Sequence, residues 1–287
     1  MIKDALSLII KEALSLMIKE AMIDITLKEA IVKESIKKGD FGKEEENIVV
    51  KEIMEKSAII KEMIDKNFTN QDKNAIIKEV IKISTTIGES IMIKEAITGN
   101  FDNKEKFRNH LTDTEGRTGT YGDYFIIDFF GSDSAKDWIF NLNIIKKVMP
   151  YGNKKSKIRV HNGFIKAYKS VRDELHKRFQ ESEKSKVFLS GFSVGGALAT
   201  LAAVDFQYNF DVEVKVATTG SPRAGNHAFA KSYDKRIPNT IRYRYGNDIV
   251  TSLPPWFFFY KHVKTKKHVG PSFCWWQHKY NLYLKSI

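Results

Sequence analysis

The 287-residue sequence contains a single cysteine, Cys274, so an intrachain disulfide is impossible. This argues against a disulfide-stabilised secreted enzyme but does not exclude export. The N-terminus lacks the unbroken apolar core of a signal peptide, because charged pairs interrupt it at 3–4, 11–12 and 19–20. No transmembrane stretch is visible in the sequence either. We therefore expect a cytoplasmic location by default, with leaderless export left open.

Arginine is absent from residues 1–100, where 16 Lys stand against 18 Asp and Glu for a net charge of −2. Residues 101–287 carry the whole excess of +14, from 31 basic and 17 acidic side chains. Such a charge favours an anionic membrane interface as a candidate partner. Plain solubility explains it equally well, and no nucleic acid is expected.

Residues 1–100 predict an all-α region, because apolar side chains recur at helical spacing from Ile2 and Leu6 onward. Phe41 and Phe68 each precede an apolar helical stretch by a similar interval, which indicates a small stack of helices. We expect a plain packing domain. The alternatives are a module for an unknown protein partner or a membrane surface, or a cover over the rest of the chain.

Residues 187–203 join a short apolar run, a Gly-x-Ser-x-Gly turn centred on Ser193, and a stretch rich in Ala and Leu. This order predicts a buried parallel strand, a sharp turn and a helix. A serine hydroxyl is a weak nucleophile, and a strained turn of this kind presents it to a base. Gly191 and Gly195 leave the space that the turn needs, and the Val194 N–H at the helix N-terminus can stabilise an oxyanion. A Gly/Ser-rich loop without chemistry is the alternative.

A nucleophilic serine needs an acid and a base later in the chain. The strand predicted at 240–245 ends just before Asp248, at the edge where α/β enzymes place functional groups. Asp248 is therefore favoured over the other carboxylates of this region, which fall on a helix, at the start of a strand or in a charged segment: Asp205, Asp211, Glu213 and Asp234. Chain order leaves three histidines open as the base: His262, His268 and His278.

Sequence blocks at 112–142, 160–164, 191–199, 219–226 and 248–255 resemble, in order, the class 3 lipases, the fungal-lipase-like branch of the α/β-hydrolases. The resemblance implies an α/β fold, an α/β-hydrolase core with a mostly parallel sheet at 101–287, preceded by the all-α region at 1–100. It also favours His278, because residues 277–283 resemble the family's terminal histidine block. His262 is the runner-up, and His268 lies in a lysine run.

The same resemblance implies roles around the serine. Ser132 is expected to supply the second oxyanion contact, by its backbone N–H and hydroxyl, beside that of Val194. Residues 133–148 are similar to the family's lid, and Trp138, Ile139 and Leu142 form the apolar side of its short helix. A helix with one apolar face at this place can cover a greasy pocket and then meet lipid.

Two positions depart from the family pattern: Phe130 stands where Arg is usual, and Phe192 where His is usual. Two aromatic clusters lie further on, at 256–260 and 275–276. We interpret both as core. With the lid they would instead rim an acyl-binding groove.

The expected function is hydrolysis of lipid carboxylic esters, of the triacylglycerol lipase or phospholipase A type, through an acyl-enzyme. Ser193 would attack, His278 would transfer the proton, and Asp248 would orient His278. No metal or cofactor is expected, and the basic catalytic half slightly favours phospholipid. The alternatives are a non-catalytic binding or scaffold module, and an acyltransferase that uses the same three residues.

Overall fold

The computed structural model describes residues 92–131, 145–148, 156–263, 266–271 and 278–286. The predicted array at 1–91 lies outside these residues, as do Ser132, the lid positions Trp138, Ile139 and Leu142, and the aromatic pair at 275–276. Residues 92–98 are helical. The domain boundary near residue 100 stays a prediction.

Seven strands form the main sheet, in the order β1-β2-β3-β6-β7-β9-β11. The antiparallel part is β1 (Asp102–Asn109), β2 (Thr114–Tyr121) and β3 (Tyr124–Phe129). The parallel part continues from β3 through β6 (Lys186–Phe192), β7 (Glu213–Thr219), β9 (Asn239–Tyr245) and β11 (Lys266–Val269). The predicted α/β core with a mostly parallel sheet is confirmed.

A second, smaller sheet contains four short antiparallel strands in the order β10-β8-β5-β4. They are β4 (Lys146–Val148), β5 (Arg159–His161), β8 (Gly225–Asn226) and β10 (Tyr260–Lys261). The helices are α1 (Asn162–Glu181), α2 (Val194–Phe210), α3 (His227–Arg236) and α4 (Tyr280–Lys285). Two 3₁₀ turns, Val250–Ser252 and Trp256–Phe258, follow β9.

The centre of the core is the unit β6–α2. Val187, Phe188 and Leu189 of β6 are buried, as a strand with neighbours on both sides and helices on its faces requires. Helix α2 is buried from Val194 to Phe206, and its many Ala and Gly residues let its backbone lie close to the sheet. The predicted strand, turn and helix therefore form, and they place Ser193 in the turn between them.

Two histidines serve the framework as neutral groups, His161 buried and His262 partly buried. His161 caps α1, because its Nδ1 accepts a hydrogen bond of 3.3 Å from the Phe164 N–H. His262 donates from Nε2 to the Thr251 carbonyl at 2.5 Å, next to the first 3₁₀ turn. Burial lowers the pKa of His161 to about 4, and burial together with the nearby Arg242 lowers that of His262 to about 3.

These lowered pKa values predict that acid destabilises the fold. Between a pKa of 6.5 when unfolded and about 4 or 3 when folded, the unfolded chain binds more protons at His161 and His262. For each of the two groups, the free energy of unfolding then falls by about 1.4 kcal/mol per pH unit as the pH drops below about 6.5. The contribution of the neutral histidines to stability is fully present above that pH. It is lost as the pH falls towards their pKa values in the folded protein.

Urea unfolding of wild type and His161→Asn at several pH values measures this slope. Asn keeps a cap acceptor but cannot titrate, so the variant should lose less stability than wild type on acidification. Identical slopes for the two proteins would exclude His161 as an acid-sensitive group.

Most of the aromatic cluster at 256–260 lies on the surface, although it was expected in the core. Tyr260 is buried, but Trp256, Phe257 and Phe259 are exposed. The cause is local: the chain leaves Pro255 as a single 3₁₀ turn and ends it at Phe259 in a left-handed conformation, with φ of 60°. A turn this short has no side that faces the core along its whole length.

Candidate active site

Ser193 occupies a strained turn between β6 and α2. Its φ of 55° and ψ of −127° lie outside the regions that non-glycine residues normally adopt. Its N–H donates to the Thr219 carbonyl of the neighbouring strand β7 at 2.9 Å, which helps hold the turn. Such backbone strain costs about 1 to 3 kcal/mol and persists where the surrounding structure fixes it, often at functional sites.

The glycines flanking Ser193 are required by close backbone approaches. A Cβ at Gly191 would lie 2.4 Å from the Gly195 carbonyl oxygen, and a Cβ at Gly195 would lie 2.3 Å from the Phe129 carbonyl oxygen. Neither backbone group can move away without disturbing β3 or the start of α2. The spacing of glycines around Ser193 therefore follows from the geometry of the turn.

The structure brings Ser193, His278 and Asp248 together from distant parts of the chain. His278 Nε2 lies 2.7 Å from Ser193 Oγ, and His278 Nδ1 lies 2.8 Å from Asp248 Oδ2. With the Nδ1 proton donated to the carboxylate, Nε2 is free to accept the serine proton. Ser193 and Asp248 are buried, whereas the His278 side chain keeps some exposure.

Three donors surround the Asp248 carboxylate. Besides His278, the Tyr283 hydroxyl donates to Oδ2 at 2.5 Å and the Val250 N–H donates to Oδ1 at 2.9 Å. Burial, and then the nearby Asp248 charge, raise the pKa of Tyr283, so the phenol stays protonated and donates. Hydrogen bonds to both oxygens fix the plane of the carboxylate, and this plane fixes the direction of the bond to His278.

An aromatic wall supports the imidazole from one side. The Phe192 ring stacks on His278 with a centroid distance of 4.6 Å and an interplanar angle of 18°. Tyr280 and Tyr283 contact the same phenyl ring, at 5.3 and 5.8 Å. Phe192 is one of the two departures from the family pattern, and its position gives it the role of a packing support for His278.

Gly220 is a functional position that the sequence reasoning missed. It has φ of 60°, and a Cβ there would lie 3.0 Å from both Asp248 Oδ2 and His278 Cε1. A side chain at 220 would press on the hydrogen bond between those two residues. Residue 220 lies in the 219–226 block that resembles the lipase family, so the sequence did mark this segment. The role of Gly220 was missed because Asp248 and His278, which it contacts, are distant in the chain.

Of the two expected oxyanion residues, Val194 and Ser132, only Val194 lies within the described residues. Val194 is the first residue of the 17-residue helix α2, so its N–H has no partner within the helix and points along the positive end of the helix dipole. Gly131, beyond the end of β3, lies against the turn: a Cβ there would be 2.9 Å from the Phe192 ring and 3.4 Å from Ser193 Cβ. Ser132 follows it, outside the described residues.

The rejected candidates lie elsewhere. Asp205 is buried in a polar cluster, where it accepts hydrogen bonds from Tyr168, Arg172, His176 and Asn209. Asp211 ends α2, Glu213 begins β7, and Asp234 lies on α3. His262 supports the turn after Asp248, and His268 is exposed on β11, where its Nε2 lies 3.0 Å from the Gly246 carbonyl.

The second departure, Phe130, has a cation above its ring. The Arg117 guanidinium of β2 lies 5.2 Å from the Phe130 centroid and pairs with the Asp128 carboxylate at 2.8 Å. Ser190 of β6 donates to the other Asp128 oxygen at 2.6 Å. Burial nonetheless raises the pKa of Asp128 to about 6. A guanidinium is thus present beside residue 130, but it comes from the adjacent strand.

Within the described ranges, His, Cys, Asp and Glu form no group of three or more that could bind a metal ion. None of the helices in those ranges has the length and hydropathy to cross a membrane.

Residues 126–258 match the family model described as lipase (class 3), which confirms the resemblance stated above. A secreted mono- and diacylglycerol lipase of Fusarium solani is 31% identical over 145 residues, covering 48% of this chain and 41% of that protein. A chloroplastic phospholipase A(1) of Arabidopsis thaliana is 30% identical over 148 residues, covering 45% and 33%. The chain thus spans less than half the length of these two relatives.

Solved structures agree with the fold. A triacylglycerol lipase, described as having a serine protease triad as its catalytic centre, superposes with a TM-score of 0.51 at 29% identity. The superposition covers 58% of this chain and 64% of that one.

The default expectation of a cytoplasmic location is wrong. Several relatives are named as secreted lipases, among them those of Fusarium and Malassezia. The expectation rested on charges that interrupt the first residues and on a single cysteine. Neither feature reports where a folded domain of this family acts.

Proposed function

We propose that the chain, whose residues 126–258 match the class 3 lipase family model, hydrolyses lipid carboxylic esters with Ser193 as the nucleophile. The observation that carries the proposal is the position of His278, within hydrogen-bond distance of both Ser193 Oγ and Asp248 Oδ2. The strained backbone at Ser193 supports it, since such strain clusters at functional sites.

In the first step, Ser193 Oγ attacks the ester carbonyl carbon while His278 Nε2 removes the hydroxyl proton. The imidazolium that forms is stabilised by the Asp248 carboxylate at Nδ1, 2.8 Å away. The other hydrogen bonds to this carboxylate also come from donors, Tyr283 and Val250. These contacts fix the imidazole tautomer in which Nε2 carries no proton before the attack.

The carbonyl oxygen becomes an oxyanion in the tetrahedral intermediate. The N–H of Val194, at the first position of α2, is one donor, and the N–H and hydroxyl of Ser132 are the second. The approach of Gly131, the residue before Ser132 in the sequence, to Ser193 supports this assignment. One such donor contributes about 3 to 4 kcal/mol of transition-state stabilisation in comparable enzymes.

Collapse of the intermediate releases the alcohol, which takes the proton from His278 Nε2, and leaves an acyl group on Ser193 Oγ. Water then attacks the acyl carbonyl, with His278 as the base, and the fatty acid departs. The exposure of the imidazole edge permits water to reach it. The proposal therefore requires an acyl-enzyme and yields a free acid.

The proposed substrates are the carboxylic esters of glycerol in acylglycerols or in phospholipids. The first kind is the substrate of the Fusarium relative by its name, and the second kind that of the Arabidopsis relative. The secreted relatives support action outside the cell. Residues 133–144, with Trp138, Ile139 and Leu142, are proposed as a lid over Ser193; residues 146–148, which the sequence placed in the same lid segment, form strand β4 of the small sheet instead.

Release of fatty acid from emulsified di- and triacylglycerol, and from phosphatidylcholine and phosphatidylglycerol vesicles, tests the proposal. We expect the full chain to release acid from at least one of these esters, while Ser193→Ala loses nearly all of this activity. Product analysis separates hydrolysis from acyl transfer to an added alcohol. Equal, background-level release by both proteins would contradict the proposal.

A further inference from the structure

Three aromatic side chains stand out from the surface at the second 3₁₀ turn. Trp256, Phe257 and Phe259 are 73%, 58% and 73% exposed. They lie within four consecutive positions, so they form one patch. Exposed Trp and Phe in such a cluster mark an interaction site more often than an ordinary surface. We call residues 256–259 the aromatic turn.

The fold holds the aromatic turn in place. The Lys146 ammonium of β4 donates to the Phe258 carbonyl at 2.7 Å, and the Arg223 guanidinium donates to the Pro254 carbonyl at 2.7 Å. Tyr260, the next residue, is buried and pairs with Asn226 of β8. The rings are therefore carried on a turn that is fixed to the rest of the fold, and their exposure does not come from a loose end of chain.

The surroundings of the aromatic turn are basic. The four segments of the small sheet and the turn, residues 145–148, 156–163, 222–227 and 249–263, contain no Asp or Glu. They contain instead several Lys and Arg, of which the exposed ones are Lys147, Lys157, Arg159 and Lys261. Aromatic side chains and a carboxylate-free basic sheet thus occupy one connected part of the fold.

Lys146 links the basic residues to the aromatic turn and is affected by the charge of a neighbouring arginine. Lys146 lies 4.6 Å from the Tyr260 ring centroid and 6.0 Å from that of Phe259, so it joins the basic sheet to the aromatic turn. Burial, and then the charge of Arg159, lower the pKa of Lys146. A negative group over this surface would relieve that repulsion.

We infer that the aromatic turn and the basic residues of the small sheet form a docking surface for an anionic lipid bilayer. The exposed rings of this turn can enter the headgroup region, where Trp and Phe are favoured, while flanking Lys and Arg meet anionic lipid. Nucleic acid or an acidic protein would match the charge, but a bilayer also accepts three apolar rings exposed at one turn. The surface lies outside the triad, so it can be tested without catalysis.

Partition of the full chain carrying Ser193→Ala onto vesicles measures the docking. Phosphatidylcholine vesicles are compared with vesicles of phosphatidylcholine and phosphatidylserine in equal amounts. We expect binding to the anionic vesicles only, weakened by about tenfold or more when Trp256→Ser is combined with Phe259→Asn. Asn tolerates the left-handed φ at 259 better than Phe, so this change does not strain the turn. Leu111→Ser, at a residue 96% exposed on another part of the surface, is the matched control.

A second experiment tests the role of charge with the double variant Lys147→Gln and Lys261→Gln. The double variant Lys166→Gln and Lys169→Gln on α1 removes the same charge elsewhere and is the control. Each basic residue near an anionic membrane contributes about 1 kcal/mol, so the first pair should weaken binding by roughly 30-fold and the second pair by much less. Equal effects of the two pairs would overturn the assignment. So would undiminished partition of the aromatic variant, or binding to single-stranded RNA or polyglutamate but not to anionic vesicles. Hydrolysis of a soluble short-chain ester by the same variants with Ser193 intact keeps this outcome separate from the fate of the proposed triad.

Discussion

Replacing Ser193 by alanine should lower kcat for ester hydrolysis by about 10⁵- to 10⁶-fold, while binding of the substrate changes little. The hydroxyl is the atom that becomes bonded to the acyl group, so nothing in the site can substitute for it. The residual rate should come from the oxyanion donors alone. Alanine has a Cβ like serine, so the strain at φ of 55° is the same in both proteins and the fold should be retained.

A soluble nitrophenyl ester of a short acid gives the rate for this comparison, because it removes any effect of lipid surfaces. Ser232→Ala, on helix α3, is the control for loss of a serine hydroxyl far from the triad. It should keep the wild-type rate. A Ser193→Ala protein that is folded by circular dichroism and still hydrolyses the ester at the wild-type rate would refute the role of this residue.

Replacing Asp248 by asparagine is expected to lower kcat by about 10⁴-fold. The amide retains the shape of the carboxylate, and the Val250 N–H needs an oxygen at the Oδ1 position, so the amide NH₂ takes the Oδ2 position, where it faces His278 Nδ1 and the Tyr283 hydroxyl. The imidazole must then accept at Nδ1 and carry its proton on Nε2. In that tautomer His278 cannot remove the proton from Ser193.

The pattern of kinetic constants distinguishes this explanation from simple loss of structure. KM should remain within a few fold of wild type while kcat falls, and the melting temperature should change far less than activity. Tyr283→Phe should give a smaller loss, since it removes one donor to Asp248 but leaves the carboxylate. Asp211→Asn, at the C-terminus of α2, is the matched control for loss of a carboxylate and should be active. An Asp248→Asn enzyme with wild-type kcat would contradict the assignment.

The sequence was most informative where a pattern is local. The strand, turn and helix around Ser193 could be predicted because each depends on neighbours in the chain: an apolar run, small residues at tight contacts, and an Ala-rich helix. The order of acid and base after the serine also limited the choice. Between His262 and His278, however, the resemblance to a family decided, because both follow Asp248.

Features that depend on distant contacts were not predicted. Gly220 is required by Asp248 and His278, and Tyr283 matters because its hydroxyl reaches Asp248 across 35 positions of the chain. The aromatic turn was assigned to the core on composition alone. Its exposure follows from the left-handed φ at Phe259 and from the bond between Lys146 and Phe258, and neither leaves a sequence pattern.

Trapping with an alkyl phosphonate ester that carries a nitrophenol leaving group tests the central claim most directly. The phosphorus is attacked by an activated serine and stays attached, so mass spectrometry of the digested protein identifies the nucleophile. We predict one adduct per chain, on Ser193, formed with loss of ester hydrolysis. An adduct on a different residue, or complete inhibition with Ser193 unmodified, would contradict the account.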